Sequence, residues 1–158
     1  MMLWMNILSS ILGIKVDIRG IPDQSANLFV SNHVTYLDII IINKLLPVNF
    51  IAKEEISSWP VIGRLASKTG TLFIKRGDNV ESSKMIYEME ERFKLQNKIV
   101  FFPEGKIGNG KRVRKFHYKL FKSIENKELY IQPIAIRYPT GYPTVSYTHL
   151  TLPTTCSV

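Results

Sequence analysis

Short apolar runs alternate with longer amphipathic stretches along most of this chain, and that alternation constrains the fold more than any other feature. The apolar runs have the length of buried strands, whereas the amphipathic stretches repeat apolar residues at helical spacing. Strands that alternate with helices pair in parallel, with each helix crossing over a face of the sheet. The sequence therefore predicts an α/β fold with a mixed, largely parallel sheet flanked by helices.

The predicted strands and helices are bounded by Gly, Pro and polar residues. The predicted strands are residues 15–19, at a sheet edge, and residues 27–31, 50–52, 71–75, 99–102 and 130–137. The predicted helices are residues 1–14, 37–46, 56–68, 80–96 and 116–124. We expect Pro60 and Gly63 to interrupt the third of these helices.

Residues 145–158 differ in composition from the rest of the chain. They contain no Asp, Glu, Lys or Arg, although the chain has 21 basic and 13 acidic residues. Residues 145–154 also resemble the translation of a sequencing-library transposase adaptor. We therefore expect one domain over residues 1–144, which is truncated at its C-terminus and which a truncation at its N-terminus would also fit. We expect residues 145–158 to be a non-native tail, in which His149 and Cys156 carry no function. A natural Thr-rich terminus is the alternative.

The net charge of +8 predicts an anionic partner, either nucleic acid or an anionic membrane surface, and charge alone does not choose between them. Basic residues follow the predicted strand 99–102, with aromatic residues interleaved. They are Lys106, Lys111, Arg112, Arg114, Lys115, Lys119 and Lys122, among Phe116, Tyr118 and Phe121. The single cysteine excludes an intrachain disulfide and fits a reducing, intracellular compartment.

The N-terminal segment is apolar but short. Residues 1–14, at about 1.5 Å per residue, cannot span a bilayer core of about 30 Å. Two interpretations remain open: a helix lying in the membrane interface with Trp4 at headgroup level, or a first helix packed on the core. No basic region precedes the apolar residues, so the sequence does not predict a secretory signal.

A histidine and an aspartate lie five residues apart, at the junction between a predicted strand and a predicted helix. His33 and Asp38 cannot meet within one straight helix, where they would point about 140° apart. They can meet if His33 ends the strand and Asp38 begins the helix, at a sheet edge where sites are usual. Such a pair turns a hydroxyl into a nucleophile, because the carboxylate fixes the imidazole that accepts the proton. The structural alternatives are a capping role for Asp38, with Thr35 as N-cap, and a loop role for His33.

Two further groups follow predicted strands. Lys75 and Arg76 end the strand 71–75, where a guanidinium fork and an ammonium suit phosphate, although a solvated strand end is the alternative. Glu104 and Gly105 follow the strand 99–102, where the glutamate can bond acceptor hydroxyls and the glycine allows close backbone approach. The alternative for Glu104 is a turn residue.

Four blocks in this order resemble the phospholipid acyltransferase family that includes lysophosphatidate acyltransferases. The block Asn-His-x-Ser-x-x-Asp is similar to residues 32–38, with Thr35 in place of Ser. The block Gly-x-x-Phe-Ile-x-Arg is similar to residues 70–76, and Phe-Pro-Glu-Gly-Thr to residues 102–106, with Lys106 in place of Thr. The fourth, a strand with an embedded proline, is similar to residues 131–135.

The resemblance implies a glycerol-3-phosphate acyltransferase-like fold and an acyltransferase. It implies His33 as general base, Asp38 as its partner and Arg76 as an acceptor-phosphate ligand. It implies Glu104 and Gly105 in acceptor binding, and we add Lys75 and Lys106 as neighbouring substrate-binding candidates.

The resemblance also implies that an acyl group moves from a CoA or acyl-carrier-protein thioester to a lysophospholipid hydroxyl, without a metal or another cofactor. The expected acceptor is 1-acyl-glycerol-3-phosphate, the expected product phosphatidate, and the expected location the cytoplasmic face of the cell membrane, with peripheral or N-terminal attachment. Lyso-ornithine lipid, which has no phosphate, is the alternative acceptor. An inactive binding remnant and a nucleic-acid-binding module are the alternatives from other classes, and we expect no nucleic acid as partner.

Overall fold

The structure, a computed structural model, describes residues 2–75, 79–108, 112, 114–125, 127–138, 147–151 and 156–157. Within these residues eight strands share one sheet. They are β1 (Lys15–Arg19), β2 (Leu28–Ser31), β3 (Asn49–Lys53), β4 (Leu72–Ile74), β5 (Ile99–Phe101), β6 (Tyr130–Arg137), β7 (Tyr147–Thr151) and β8 (Cys156–Ser157). The order across the sheet is β1-β7-β6-β2-β5-β3-β4, with β8 also beside β6.

The centre of the sheet is parallel. Strands β6, β2, β5, β3 and β4 pair in parallel with one another, in that order, whereas β7 and β8 run antiparallel to β6. The predicted α/β fold with a largely parallel sheet is confirmed, and β1 lies at a sheet edge as predicted. The prediction of a non-native tail stays a prediction, since an extended Thr-rich segment can pair with any open strand.

Helices connect the parallel strands. The α-helices of the described residues are α1 (Met2–Ile11), α2 (Leu37–Leu45), α3 (Ile62–Lys68) and α4 (Asn79–Lys94), with 3-10 helices at Glu54–Ser58 and Tyr118–Ser123. Helix α1 packs against α2, and α4 packs against the second 3-10 helix. None of the helices in the described ranges is both long and apolar enough to cross a membrane.

Two helix predictions need correction in detail. In residues 56–68 the predicted interruption at Pro60 is confirmed, since a 3-10 helix ends at Ser58 and α3 begins at Ile62. The predicted interruption at Gly63 is wrong, because Gly63 lies within α3. The break follows from Pro60, which has no N–H to donate, and from Val61, whose φ of 66° is incompatible with a helix. The stretch 116–124 forms a 3-10 helix over Tyr118–Ser123.

The hydrophobic core lies on both faces of the sheet, because adjacent strand residues point to opposite sides. Leu28 packs with the Met85, Met89 and Phe93 stripe of α4, whereas Phe29, the next residue, packs with α2. Both strand residues are fully buried. The helices therefore cover both faces, which leaves the carboxyl edge of the parallel strands as the place where polar side chains can meet.

Candidate active site

Asp38 accepts four hydrogen bonds at the carboxyl edge of the sheet. Its Oδ2 atom lies 2.8 Å from Nδ1 of His33 and accepts from the backbone N–H groups of Val34, at 2.6 Å, and Thr35, at 3.0 Å. Its Oδ1 atom accepts from the hydroxyl of Tyr138 at 2.6 Å. The carboxylate is fully buried, and these donors satisfy a group that would otherwise be costly to bury.

These contacts fix which nitrogen of His33 carries the proton. Backbone N–H groups can only donate, so Oδ2 of Asp38 acts as an acceptor in all three of its bonds. Nδ1 of His33 is then the donor, and Nε2 carries the lone pair. Nε2 is therefore the atom that can accept a proton from a substrate hydroxyl.

The ring of His33 is also held by packing. It stacks on Phe102, with ring centroids 4.0 Å apart and planes inclined by 14°. Phe102 in turn stacks on Phe50, with centroids 6.0 Å apart, which ties the imidazole to the apolar core. The carbonyl of His33 accepts from the N–H of Gly108 at 2.7 Å, so its backbone is anchored too.

The local sequence explains why the chain folds back here. Asp38 lies in the first turn of α2 and bonds the N–H of Thr35, which is one half of a capping box. In a complete capping box the Thr35 hydroxyl would accept from the N–H of Asp38, but here it accepts from the N–H of Leu37, one residue earlier, at 3.1 Å. The prediction of Thr35 as N-cap is corrected to this extent: Tyr36 takes the N-cap position without a side-chain bond. Asp38 thus caps the helix and also orients His33.

Asn32 joins this loop to the neighbouring strand. Its amide nitrogen donates to the carbonyl of Ile136 at 2.9 Å, and its amide oxygen accepts from the N–H of Ile136 at 2.7 Å. Such a two-point contact extends the ladder between β2 and β6 by one side chain. It fixes the distance between His33, which follows Asn32, and the end of β6.

Glu104 is buried in the turn after β5. Tyr138 follows β6, and one strand, β2, lies between β5 and β6 in the sheet. Its Oε2 atom accepts from the backbone N–H of Arg114 at 3.0 Å, so it holds the following loop. Gly105 closes the turn by donating to the carbonyl of Phe102 at 2.9 Å and has a φ of 66°, which favours glycine. The acceptor-binding roles of both residues stay predictions.

The cationic candidates lie further from the pair. Lys75 follows β4 and is exposed, and Lys106 is exposed in the loop after Gly105. Three strand spacings separate β2 from β4, which is about 14 Å. Arg76 lies outside the described residues, so its predicted role as a phosphate ligand stays a prediction.

Sequence reasoning missed Tyr138 and Phe102 as parts of the site. Tyr138 follows β6 and reaches Asp38 from 100 residues away in the chain. The signal was available, since a polar residue directly after a buried strand is the same pattern that singled out Glu104. The parts of the chain that the structure describes contain no group of three or more His, Cys, Asp or Glu residues that could hold a metal ion.

Comparison with known proteins gives consistent matches. The sequence model of a family described as Acyltransferase matches residues 14–137. The chain is 36% identical over 135 residues to the lyso-ornithine lipid O-acyltransferase of Pseudomonas aeruginosa, covering 85% of this chain and 52% of that protein. It is 33% identical over 148 residues to the 1-acyl-sn-glycerol-3-phosphate acyltransferase of Neisseria gonorrhoeae, covering 90% and 58%. The chain therefore spans about half the length of the curated relatives it matches.

A solved structure shares the fold. The crystal structure of the 1-acyl-sn-glycerophosphate acyltransferase PlsC from Thermotoga maritima matches with a TM-score of 0.77, over 99% of this chain and 67% of that chain. At 21% sequence identity, this likeness concerns the fold. It agrees with the parallel sheet that carries the His33 and Asp38 pair at its carboxyl edge.

Proposed function

The chain belongs to the acyltransferase family, and on that basis we propose that it moves a fatty acyl group from a thioester donor to the hydroxyl of a lysolipid. The observation that carries the proposal is the contact of 2.8 Å between His33 Nδ1 and Asp38 Oδ2. A buried carboxylate on one imidazole nitrogen leaves the other as a base, which is what activation of a hydroxyl requires.

The proposed reaction needs no covalent enzyme intermediate. Nε2 of His33 takes the proton of the acceptor hydroxyl while the oxygen of that hydroxyl attacks the thioester carbonyl carbon. The C–S bond then breaks, and the imidazolium returns the proton to the departing thiolate, giving an ester and a free thiol. The carboxylate of Asp38 stabilises the imidazolium that exists between these two steps. No cofactor enters the scheme, and the acyl-CoA or acyl-carrier protein is a substrate.

We propose 1-acyl-glycerol-3-phosphate as the acceptor and phosphatidate as the product. Relatives named for this activity, at 33% identity, support the proposal, as does Lys75, which directly follows β4 at the same edge. Arg76 is the next residue in the sequence and is the proposed phosphate ligand. In this scheme Glu104 and Gly105 contribute to acceptor binding, and Lys106 extends the cationic surface. The proposed location is the cytoplasmic face of the cell membrane, where the net charge of +8 favours anionic lipid.

Lyso-ornithine lipid is a second candidate acceptor, and a specific observation favours it. Two relatives named as lyso-ornithine lipid O-acyltransferases are each 36% identical to this chain. This acceptor has no phosphate, so Arg76 would then have no phosphate to bind. The base chemistry of His33 is the same for both acceptors.

Vesicles that contain either lysophosphatidate or lyso-ornithine lipid test the proposal directly. We expect the chain to form a new ester from one of them with an acyl-CoA or acyl-carrier-protein donor, together with one free thiol per ester. Mass spectrometry identifies the lipid product, and a thiol reagent counts the thiol. Absence of an ester with both acceptors and both donors, from protein that is folded by circular dichroism, would contradict the proposal and favour a binding remnant. Salt-sensitive binding to DNA or RNA, unchanged by His33→Ala, would favour the nucleic-acid module.

Substitution of Tyr138 tests whether its contact with Asp38 matters for turnover. Tyr138→Phe removes the donor at 2.6 Å and leaves Oδ1 of a buried carboxylate without it. We expect kcat to fall at least about tenfold, because one hydrogen bond to a charged group contributes about 1.5–3 kcal/mol and about 1.4 kcal/mol corresponds to a factor of ten. KM should change by less than about twofold, since Tyr138 contacts Asp38 rather than substrate.

An exposed tyrosine provides the matched control. Tyr87 lies on the solvent side of α4, and Tyr87→Phe should leave both constants unchanged. If Tyr138→Phe and Tyr87→Phe have the same kcat, Tyr138 does not position the pair.

A further inference from the structure

An exposed apolar surface lies beside the candidate site, on the segment between β3 and β4. We call it the apolar platform and define it by five side chains that solvent reaches: Tyr36, Trp59, Val61, Ile62 and Leu65. Val61 is 75% exposed and Ile62 is 53% exposed, which is unusual for β-branched apolar residues so close together in a chain. Contiguous exposed apolar surface typically marks an interaction site.

The packing of α3 explains why these side chains point outward. Gly63 is the buried residue of the helix, and a Cβ there would clash with the carbonyl oxygen of Ser57. At about 100° per residue, Leu65 lies about 160° from Gly63 around the helix. The face that carries Leu65 is therefore the face opposite to the fold.

The backbone at Val61 holds its side chain outward at a conformational cost. Its φ of 66° and ψ of −60° form the γ-turn with positive φ, closed by a hydrogen bond of 2.7 Å from the N–H of Ile62 to the carbonyl of Pro60. Branched residues rarely adopt this conformation. The turn is held in place because the N–H of Leu65 donates to the carbonyl of Val61 at 2.9 Å. A strained backbone that presents an apolar side chain to solvent points to a function for that side chain.

Cations outnumber anions near the apolar platform. Residues 57–75 include the cations Arg64, Lys68 and Lys75 and no Asp or Glu, whereas the exposed Glu54 and Glu55 lie in the preceding 3-10 helix. All three cations are exposed, and Arg64 and Lys68 lie on α3 itself. Apolar and aromatic side chains on a helix that also carries exposed cations match the interface of an anionic bilayer, where Trp and Tyr rings lie at headgroup level.

The apolar platform also adjoins the catalytic loop. Tyr36 follows Thr35, whose N–H bonds Asp38, and its ring lies 6.4 Å from that of Trp59. Helix α3 follows β3, whose carboxyl end lies at the same sheet edge as that of β2. A bilayer in contact with the apolar platform would therefore lie beside His33.

We propose that the apolar platform inserts into the interfacial layer of an anionic membrane and so brings the catalytic pair to its lipid acceptor. The insertion rests on the surface itself, whereas its purpose rests on the proposed acyl transfer. Acceptor lipid then reaches His33 from the bilayer without crossing water. Arg64 and Lys68 contact lipid phosphates, while Val61 and Leu65 enter the boundary with the acyl chains.

Trp59 reports on this contact directly. Trp4→Phe leaves Trp59 as the one tryptophan of the chain. With phosphatidylglycerol vesicles we expect its emission to shift to shorter wavelength and to be quenched by lipids brominated near the headgroup. Phosphatidylcholine vesicles should bind about 25-fold more weakly at low salt, because Arg64 and Lys68 each contribute about fivefold. Vesicle binding without any change in Trp59 emission would overturn the proposal, since another surface would then hold the membrane.

Polar substitutions on the apolar platform separate binding from folding. The double variant Val61→Asn/Leu65→Gln places polar side chains at two exposed positions, so it should keep the thermal unfolding midpoint of the parent while weakening binding to phosphatidylglycerol vesicles about tenfold. The matched control is Leu95→Gln, since Leu95 is 73% exposed but precedes β5 at the opposite edge of the sheet. The proposal would be overturned if the double variant bound these vesicles as tightly as the parent does. It would also be overturned if Leu95→Gln weakened binding as much as the double variant does.

Two measurements keep this proposal distinct from the proposed function. Short-chain, water-soluble lysophosphatidate and thioester should be turned over equally by the parent and the double variant, whereas turnover on vesicles should fall with binding. If the parent turns over neither substrate, acyl transfer fails, and Trp59 quenching alone decides the membrane contact. Lipid-free self-association in sedimentation velocity that Val61→Asn/Leu65→Gln abolishes would overturn the proposal, because a second copy would then cover the apolar platform.

Discussion

His33→Ala should reduce acyl transfer by about 10³-fold, within the range that a general base contributes. The variant removes Nε2, the one imidazole nitrogen that Asp38 leaves available for a proton. The fold should persist, because Asp38 keeps its bonds from Val34, Thr35 and Tyr138. The measurement is the rate of ester formation on vesicles, together with the thermal unfolding midpoint.

A second histidine supplies the matched control for His33→Ala. The imidazole of His117 is exposed, and the bond from its backbone N–H to the carbonyl of Pro103 survives substitution. His117→Ala should therefore retain full activity. Comparable activity of His33→Ala and His117→Ala would contradict a base role for His33.

Asp38→Asn should reduce acyl transfer by at least about 10²-fold while keeping the geometry of the loop. The amide oxygen must occupy the Oδ2 position, because Val34 and Thr35 donate to it. The amide nitrogen then faces the hydroxyl of Tyr138, which can turn to accept. His33 keeps its orientation but loses the negative charge that stabilises its imidazolium.

Asp38→Asn should also lower the free energy of unfolding, by an amount that can be measured. Charge-assisted hydrogen bonds become neutral ones at a buried site, which costs about 1.5–3 kcal/mol in free energy of unfolding. Urea unfolding measures this loss. Asp17→Asn on the edge strand β1 is the control, because the Asp17 side chain is 52% exposed and its ion pair with Arg19 is a surface pair of little energetic weight. This variant should change neither rate nor stability appreciably. An Asp38→Asn variant with parental turnover would contradict the role of Asp38.

Local sequence was sufficient to predict that His33 and Asp38 can meet, which is the contact that the structure shows. The strand and helix that flank His33 and Asp38 are each marked by strong patterns, and the five-residue spacing leaves few ways to join them. Asp38 in the first turn of α2 then accepts from the preceding N–H groups of Val34 and Thr35, which turns its carboxylate back toward His33. The contact at 2.8 Å is therefore a local event that the sequence encodes within seven residues.

Strand order could not be read from the sequence. The pairing order β6-β2-β5-β3-β4 brings Tyr138 next to Asp38, although 100 residues separate them. The same order places Lys75 three strands from β2, further than its position at a strand end suggested. Such long-range pairings depend on the packing of whole faces, which no short motif specifies.

Backbone detail was also beyond the sequence. Pro60 and Gly63 predicted an interruption in residues 56–68, but they specify neither the 3-10 helix before it nor the γ-turn at Val61. Helix propensity alone would not place a valine at positive φ. The apolar platform that this turn presents is therefore a feature that only the structure reveals.

The central claim is that His33 and Asp38 act as one unit in acyl transfer, and the double variant His33→Ala/Asp38→Asn tests it most directly. The measurement is the acceptor-dependent rate of ester formation by the parent, both single variants and the double variant. With the base absent, the charge of Asp38 has no imidazolium to stabilise. The double variant should therefore be no slower than His33→Ala alone, whereas losses that multiply would show that the two residues act independently.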